Sequence, residues 1–200
     1  NIDYDESQER FDEALAVLRE AWKGKPFSYD GKFYKVTEAQ VVPQPIQKPT
    51  PPMRMAATSP GTFSKVAKEG LPLFVGLRGD GLEALRQNLD VYRTTWKEAG
   101  HSGEGSVFLR VPVYAADTQE VALEEPRKNI TYYFERQAKM VAASRASAVK
   151  AGSNTGGAEN MIAKLESLSY DDILKSRVAF GSAAGLIDRF NEWSEILGID

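Results

Sequence analysis

One pattern limits this chain more than any other: from Met53 onward, short apolar runs alternate with helical stretches. Met53 to Thr58 is an apolar run ending in Ser59-Pro60-Gly61-Thr62, after which Phe63, Val66 and Ala67 keep helical spacing up to Gly70. Leu71 to Leu77 repeats the run. Gly79-Asp80-Gly81 then opens a helix with Leu82, Leu85, Leu89, Tyr92 and Trp96 on one side, closed by Gly100. Val107 to Ala116 is a third run, and Thr118 starts further helical sequence that Pro126 interrupts and Ile130, Phe134 and Val141 continue. Near-continuous apolar strands are covered on both faces, and their crossovers are right-handed, so three strand-helix units in a row predict a parallel α/β sheet. Closed, that sheet is a TIM barrel; open, it is doubly wound.

The flanking segments are simpler. From Asp5, Phe11, Leu15, Leu18 and Trp22 recur at helical spacing and Lys23-Gly24 is the stop. Phe27-Ser28-Tyr29 and Lys32-Phe33-Tyr34 flank Asp30-Gly31, predicting a hairpin with a tight type I′ turn. Five prolines between Pro43 and Pro52 make an extended connector. Ala142 to Asn160, rich in Ala, Ser, Gly and Lys, reads as a mobile insertion and a candidate lid on a single domain spanning 1–200. Gly181-Ser182 caps a last helix whose Leu186, Ile187, Phe190, Trp193 and Leu197 form an apolar stripe. A chain that opens on Asn1 and halts at Ile196 to Asp200, where a strand should follow, is expected to be a fragment. Alone, such a piece would expose sheet edges and self-associate.

Composition removes several function classes. Lys plus Arg 25 against Asp plus Glu 28, net −3 and without a basic block, lacks the footprint of a nucleic-acid binder. With no cysteine and one histidine there is no disulfide, thiolate zinc site, Cys nucleophile or two-histidine metal site, so no metal is expected. No apolar run approaches the roughly 18 residues that span a bilayer, so no membrane partner and a cytoplasmic location are expected. His101, in Gly100-His101-Ser102-Gly103 between a helix and the next strand, reads as a solvated loop residue away from the ligand side.

In either α/β architecture ligands bind beyond the carboxyl ends of the strands. The loop Ala57-Thr58-Ser59-Pro60-Gly61-Thr62 lies there, with hydroxyls, a glycine and a helix N-terminus, the parts of a phosphate site. A plain N-cap by Thr58 or Ser59, with Pro60 at the first helical position, fits the same residues. Gly79, Gly81 and Ala84 match a dinucleotide fingerprint, but the acid expected about 20 residues on falls near Glu98, inside a helix. Arg78, in the same loop, is a candidate for a phosphate or an acidic substrate. Asp171-Asp172 and Glu124-Glu125 read as helix ends or faces, and Trp22, Trp96 and Trp193 as core anchors.

FDEALAVLREAW (Phe11 to Trp22), FSYDGKFY (Phe27 to Tyr34), the PQPIQKPTPP connector (Pro43 to Pro52) and AATSPGTFSKVAKEGLPLF (Ala56 to Phe74) occur in the order and register of one family. In them, and in YDDILKSRVAFGS (Tyr170 to Ser182), the chain resembles the bacterial-luciferase-like flavin-dependent monooxygenases. The resemblance covers most of the chain apart from the Ala142 to Asn160 stretch. It implies a TIM (β/α)8 barrel, here incomplete: about strands 5 to 7 with their helices, lacking strands 1 to 4 and 8. It implies reduced FMN, or the deazaflavin F420 in a related branch, and oxidation of a small organic molecule with dioxygen. A flavin reductase partner and homo-oligomerisation when full length go with it. Carried onto this chain, the flavin phosphate falls to Thr58, Ser59 and Thr62; Ala57 of the same loop and Arg78 are the further cofactor-binding candidates. Thr58 departs from the acid of luciferase, and Ala183-Ala184 from the usual Pro-Glu, which weakens a helix cap. The family's catalytic histidine and phosphate-gripping arginines would lie in the absent half, leaving the catalytic residues of this chain unknown. The alternatives are a non-catalytic partner subunit of the same fold and a nicotinamide-dependent oxidoreductase.

Overall fold

The computed structural model describes residues 5–77, 81–150, 152 and 158–199. The chain divides into two compact units, residues 1–53 with 145–155, and residues 54–144 with 156–200.

In the first unit α1 (Ser7–Ala21) is followed by β1 (Phe27–Asp30) and β2 (Lys35–Ala39). The α1 stripe is only partly covered: Ala21 is buried and Leu15 and Trp22 half-buried, but Phe11 and Leu18 stay exposed. The hairpin is antiparallel, with Tyr29 opposite Val36 and Asp30 opposite Lys35. The tight turn at Asp30-Gly31 does not form. Gly31–Tyr34 is instead a wider loop in which the Gly31 N–H donates to Tyr34 O at 3.0 Å. The reason is Glu13 on α1, whose carboxylate accepts from the backbone N–H groups of Lys32 (2.8 Å), Phe33 (3.0 Å) and Tyr34 (3.2 Å) and removes them from any ladder. That carboxylate and the Tyr29 ring fill the space a Cβ at position 31 would need, so a glycine stands there.

Partial desolvation raises the Glu13 carboxyl pKa, but the bonds from Phe33, Tyr34 and Lys32 outweigh it and hold the group below its ordinary 4.5. A carboxylate depressed on folding contributes stability that is complete above the ordinary value and is lost as pH falls through the folded one. In Glu13→Ala the amides of Lys32 to Tyr34 are expected to exchange several-fold faster at pH 7. The difference from the parent should shrink as pH drops below 4.5. A pH-independent difference, measured by hydrogen exchange, would contradict this role.

The second unit opens with two strand-helix repeats and a third strand: β3 (Met55–Ala56), α2 (Pro60–Lys68), β4 (Leu73–Gly76), α3 (Gly81–Glu98) and β5 (Val107–Arg110). β3, β4 and β5 lie side by side in that order and all parallel, with Ala56 level with Phe74 and Phe74 with Phe108. This is the α/β sheet expected from the sequence. One face carries the core: Leu73 and Val75 of β4 are buried, as are Phe63, Val66 and Ala67 of α2 and Leu85, Leu89, Tyr92 and Trp96 of α3. On the other face Phe74 and Phe108 are exposed at 42% and 37%, an open surface on a kind of sheet that is ordinarily covered on both sides.

The third apolar run proves to be two strands. Pro112 has no N–H to give a ladder, and after Val111-Pro112 the chain resumes as β6 (Val113–Ala115) with its alternation of exposed and covered residues shifted by one. α4 (Gln119–Glu124), α5 (Arg127–Lys150), α6 (Ala158–Glu166) and α7 (Tyr170–Ser176) follow. β7 (Ala179–Gly181) then pairs with β6 in parallel, Tyr114 level with Phe180, and α8 (Ala183–Leu197) ends the described fold. The sequence reading places no strand at β7, because three residues are too few to show a period. A second core joins Ile130, Phe134 and Ala138 of α5 to Leu165, Ile173, Val178 and Phe180. Of the stretch 142–160, residues 142–150 continue α5 and 158–160 begin α6. Gly152 is a turn, and the remainder lies outside the described residues.

Trp96 and Trp193 are buried as expected, while Trp22 is half-buried. His101 is not merely solvated: its ring stacks on Trp96 at 4.9 Å between centroids, and its Nε2 lies 3.1 Å from Lys68 O. Among the described residues no helix is long and apolar enough to cross a membrane, and no group of three or more acidic or histidine side chains could hold a metal.

Candidate functional site

The loop after β3 follows from its residues. Ala57 is buried and its N–H donates to Phe74 O at 3.3 Å, so it extends the strand by one step and has no amide left for a ligand. Thr58, Ser59 and Gly61 are exposed and Thr62 half-buried. Ser59, in extended backbone (φ −121°, ψ 148°), holds the N-cap position of α2, with Pro60 at the first helical position. It does not cap with its side chain. Its Oγ lies 2.8 Å from Thr62 Oγ1, and its carbonyl accepts the Thr62 N–H at 2.9 Å. The first turn carries no acidic residue, so the positive end of the helix is not offset locally. A surface pair of hydroxyls on such a helix end suits a phosphate. A Cβ on Gly61 would meet nothing within 4 Å, so packing within this chain does not require that glycine.

The register brings further residues to the same edge. Phe74 is level with Ala56, two residues before Thr58, and Gly76 at the end of β4 pairs with Arg110, the last residue of β5. Arg110 is exposed, and its Nη2 donates to Tyr133 Oη at 3.4 Å. Beside Arg110 the neighbouring strand presents no side chain, because the paired residue is Gly76. Neither Arg110 nor Gly76 is among the residues picked from the sequence, although Arg110 satisfies the same rule as Thr58. Reading Val107 to Ala116 as one unbroken strand hid the strand end at which Arg110 stands. Arg78 and Gly79 lie outside the described residues, and Gly81 starts α3 at φ +78°.

The paired acids are structural. Asp172 closes a capping box with Ser169, Glu124 pairs with Arg127 at 2.9 Å, and Glu125 accepts from the Tyr114 hydroxyl. The cap of α8 survives the Ala183-Ala184 departure. Ser182 Oγ accepts from Gly185 N–H at 3.3 Å, and Gln119 Oε1, reaching over from α4, accepts the Ser182 N–H at 3.1 Å in place of a capping-box acid.

Comparison with known proteins gives the family. A family model described as luciferase-like monooxygenase matches residues 1–200. The FMNH(2)-dependent dimethylsulfone monooxygenase of Pseudomonas putida is 25% identical over 121 residues, 60% of this chain and 32% of that protein. Among solved structures, the FMN complex of the oxygenating constituent of 3,6-diketocamphane monooxygenase, from a Pseudomonas putida plasmid, superposes with a TM-score of 0.70 at 20% identity, over 96% of this chain and 54% of that one. The coenzyme F420-dependent tetrahydromethanopterin reductase of Methanopyrus kandleri gives 0.67 at 17% identity, over 94% and 55%. The likeness to these structures shows a common α/β fold. The chain thus spans about a third of the curated relative and about half of each solved one. With a match along its whole length, this chain belongs to the luciferase-like monooxygenase family.

Proposed function

We propose that this chain is the phosphate-gripping part of a flavin-dependent monooxygenase that takes reduced FMN and oxidises a small organic molecule. The observation that carries the reading is the uncapped N-terminus of α2 with the hydroxyls of Ser59 and Thr62 side by side on it. Thr58, Ser59 and Thr62 hold the phosphate and Ala57 sets the loop's height on the sheet, while Arg78, outside the described residues, stays the sequence candidate for added charge. When bound, reduced flavin supplies the activation of dioxygen. The chain's own part is to grip and orient the cofactor and keep water from the open sheet face. No catalytic residue is assigned within these residues.

The open face with Phe74 and Phe108, on a chain half as long as its structural relatives, supports a barrel completed by further strands of the full-length polypeptide. The relative named as an oxygenating constituent supports a separate flavin reductase as partner. F420 is the second reading, favoured by the likeness to the F420-dependent reductase.

The test is a fluorescence-quenching titration of full-length protein with reduced FMN, with F420 in parallel, comparing Ser59→Ala plus Thr62→Ala with the parent. Reduced FMN is expected to bind, and the double variant to lose about tenfold, roughly 1.4 kcal/mol. Binding of F420 alone would change the cofactor and keep the loop. No binding of either would leave the non-catalytic partner subunit in place of the enzyme.

A further inference from the structure

We infer that the cavity at the break between β5 and β6 binds a small organic carboxylate, with Arg110 and Tyr133 taking its charged end. The inference rests on the flavin reading above in treating this ligand as the molecule to be oxidised.

The cavity owes its existence to Val111-Pro112. The β4–β5 ladder ends at Arg110, Pro112 has no N–H to extend it, the alternation of side chains shifts by one position, and a space of about 400 Å³ lies against the start of α5. That is near the lower end of the roughly 300–1,000 Å³ of ligand pockets, a size for a small molecule. Much of the wall is apolar: Val111, Val113, Ile130 and Phe180.

Its polar groups are unequally committed. Glu125, the carboxylate on the wall, already accepts the Tyr114 hydroxyl. Arg110 has no acidic partner among the described residues, and its one side-chain contact there is the long 3.4 Å bond to Tyr133 Oη. Since that phenol oxygen is the acceptor, its own proton remains available to donate. A planar guanidinium and a phenol O–H at one end of an apolar space match a carboxylate on a hydrocarbon body. The arginine fork bonds both carboxylate oxygens, and the phenol adds a third donor.

Position connects this space to the cofactor loop. Arg110 is level with Gly76 at the carboxyl end of β5, and the phosphate loop follows the carboxyl end of β3, two strands away in the same parallel sheet. Two strand spacings, roughly 10 Å, separate them. A carboxylate held at Arg110 would extend its apolar body along the cavity wall.

The experiment titrates full-length protein with hexanoate and, as the neutral probe, 1-hexanol by ligand-observed NMR, with FMN titrated on the same samples. Hexanoate is expected to bind at least tenfold tighter than hexanol. Arg110→Met should abolish that preference and leave FMN affinity unchanged, Arg110→Lys should restore part of it, and Tyr133→Phe should weaken hexanoate a few-fold. Equal binding of the two probes overturns the inference. So does an Arg110→Met variant that keeps the preference, or one that loses FMN as strongly as hexanoate, which would assign the arginine to the flavin. Arg110-dependent hexanoate binding without any flavin binding would support the cavity and remove the flavin reading. Flavin binding without that dependence would do the reverse.

Discussion

Gly105→Ala is expected to cost about 2–5 kcal/mol, a large stability loss for a single added methyl group. Two independent penalties meet at this residue. Its φ is +76°, left-handed backbone in which a Cβ costs about 1–2 kcal/mol. The same Cβ would overlap the Tyr92 hydroxyl and stand 2.7 Å from two ring carbons. Tyr92 cannot yield. It is fully buried, its hydroxyl donates to Leu71 O at 3.1 Å, and burial pushes that phenol up to about 12. Moving it would strand the Leu71 carbonyl, worth a further 1–3 kcal/mol or about that. Thermal unfolding should show a midpoint lowered by on the order of 10 °C. The double variant Gly105→Ala with Tyr92→Leu should cost less than the two singles added, since the overlap is gone and only backbone strain is shared out. Strict additivity would show that the two residues do not touch.

The contrast between Gly105 and the hairpin turn shows what the sequence disclosed and what it did not. The strand-helix repeat from Met53 to Gly100 was legible because each unit carries its own period and its own glycine stop, and those are local signals. The Asp30-Gly31 turn was equally suggestive but wrong, because a residue far away in sequence, Glu13, captures the three amides the tight turn would have left for the ladder. β7 was invisible for a related reason: its three residues are strand only because β6 lies beside them. At the site, the loop from Ala57 to Thr62 could be found from residue types on a strand-to-helix connection. That Ser59 holds the N-cap position without capping could not, since the choice between a backbone amide and a neighbouring hydroxyl is made in three dimensions. Arg110 was missed for want of one local inference, that a proline after Val111 ends the strand before Ala116.

Gly76→Leu is expected to weaken FMN binding by about a hundredfold or more, roughly 2.7 kcal/mol, while leaving the fold intact. The argument starts from what Gly76 does not do. It has no left-handed φ, and an added Cβ would meet only Arg110 O, at an ordinary contact distance of 3.5 Å. A glycine inside a strand costs about 0.5–1 kcal/mol relative to alanine, so Gly76→Ala should leave stability unchanged or slightly higher. What the glycine provides is clearance. It sits beside Arg110, two residues beyond the exposed Phe74, and its missing side chain leaves that end of the open sheet face bare. On the proposed flavin reading, a flat ring system tethered by a phosphate at Ser59 and Thr62 would lie across that bare end. Leucine would fill it with a branched side chain where alanine adds one methyl group, so the effect should grade with size, from a few-fold for alanine to the full loss for leucine. Flavin titration with thermal unfolding on the same samples reads both quantities. If leucine lowers stability and leaves FMN affinity alone, that end of the face is occupied by the protein's own remaining strands, and the flavin ring lies elsewhere.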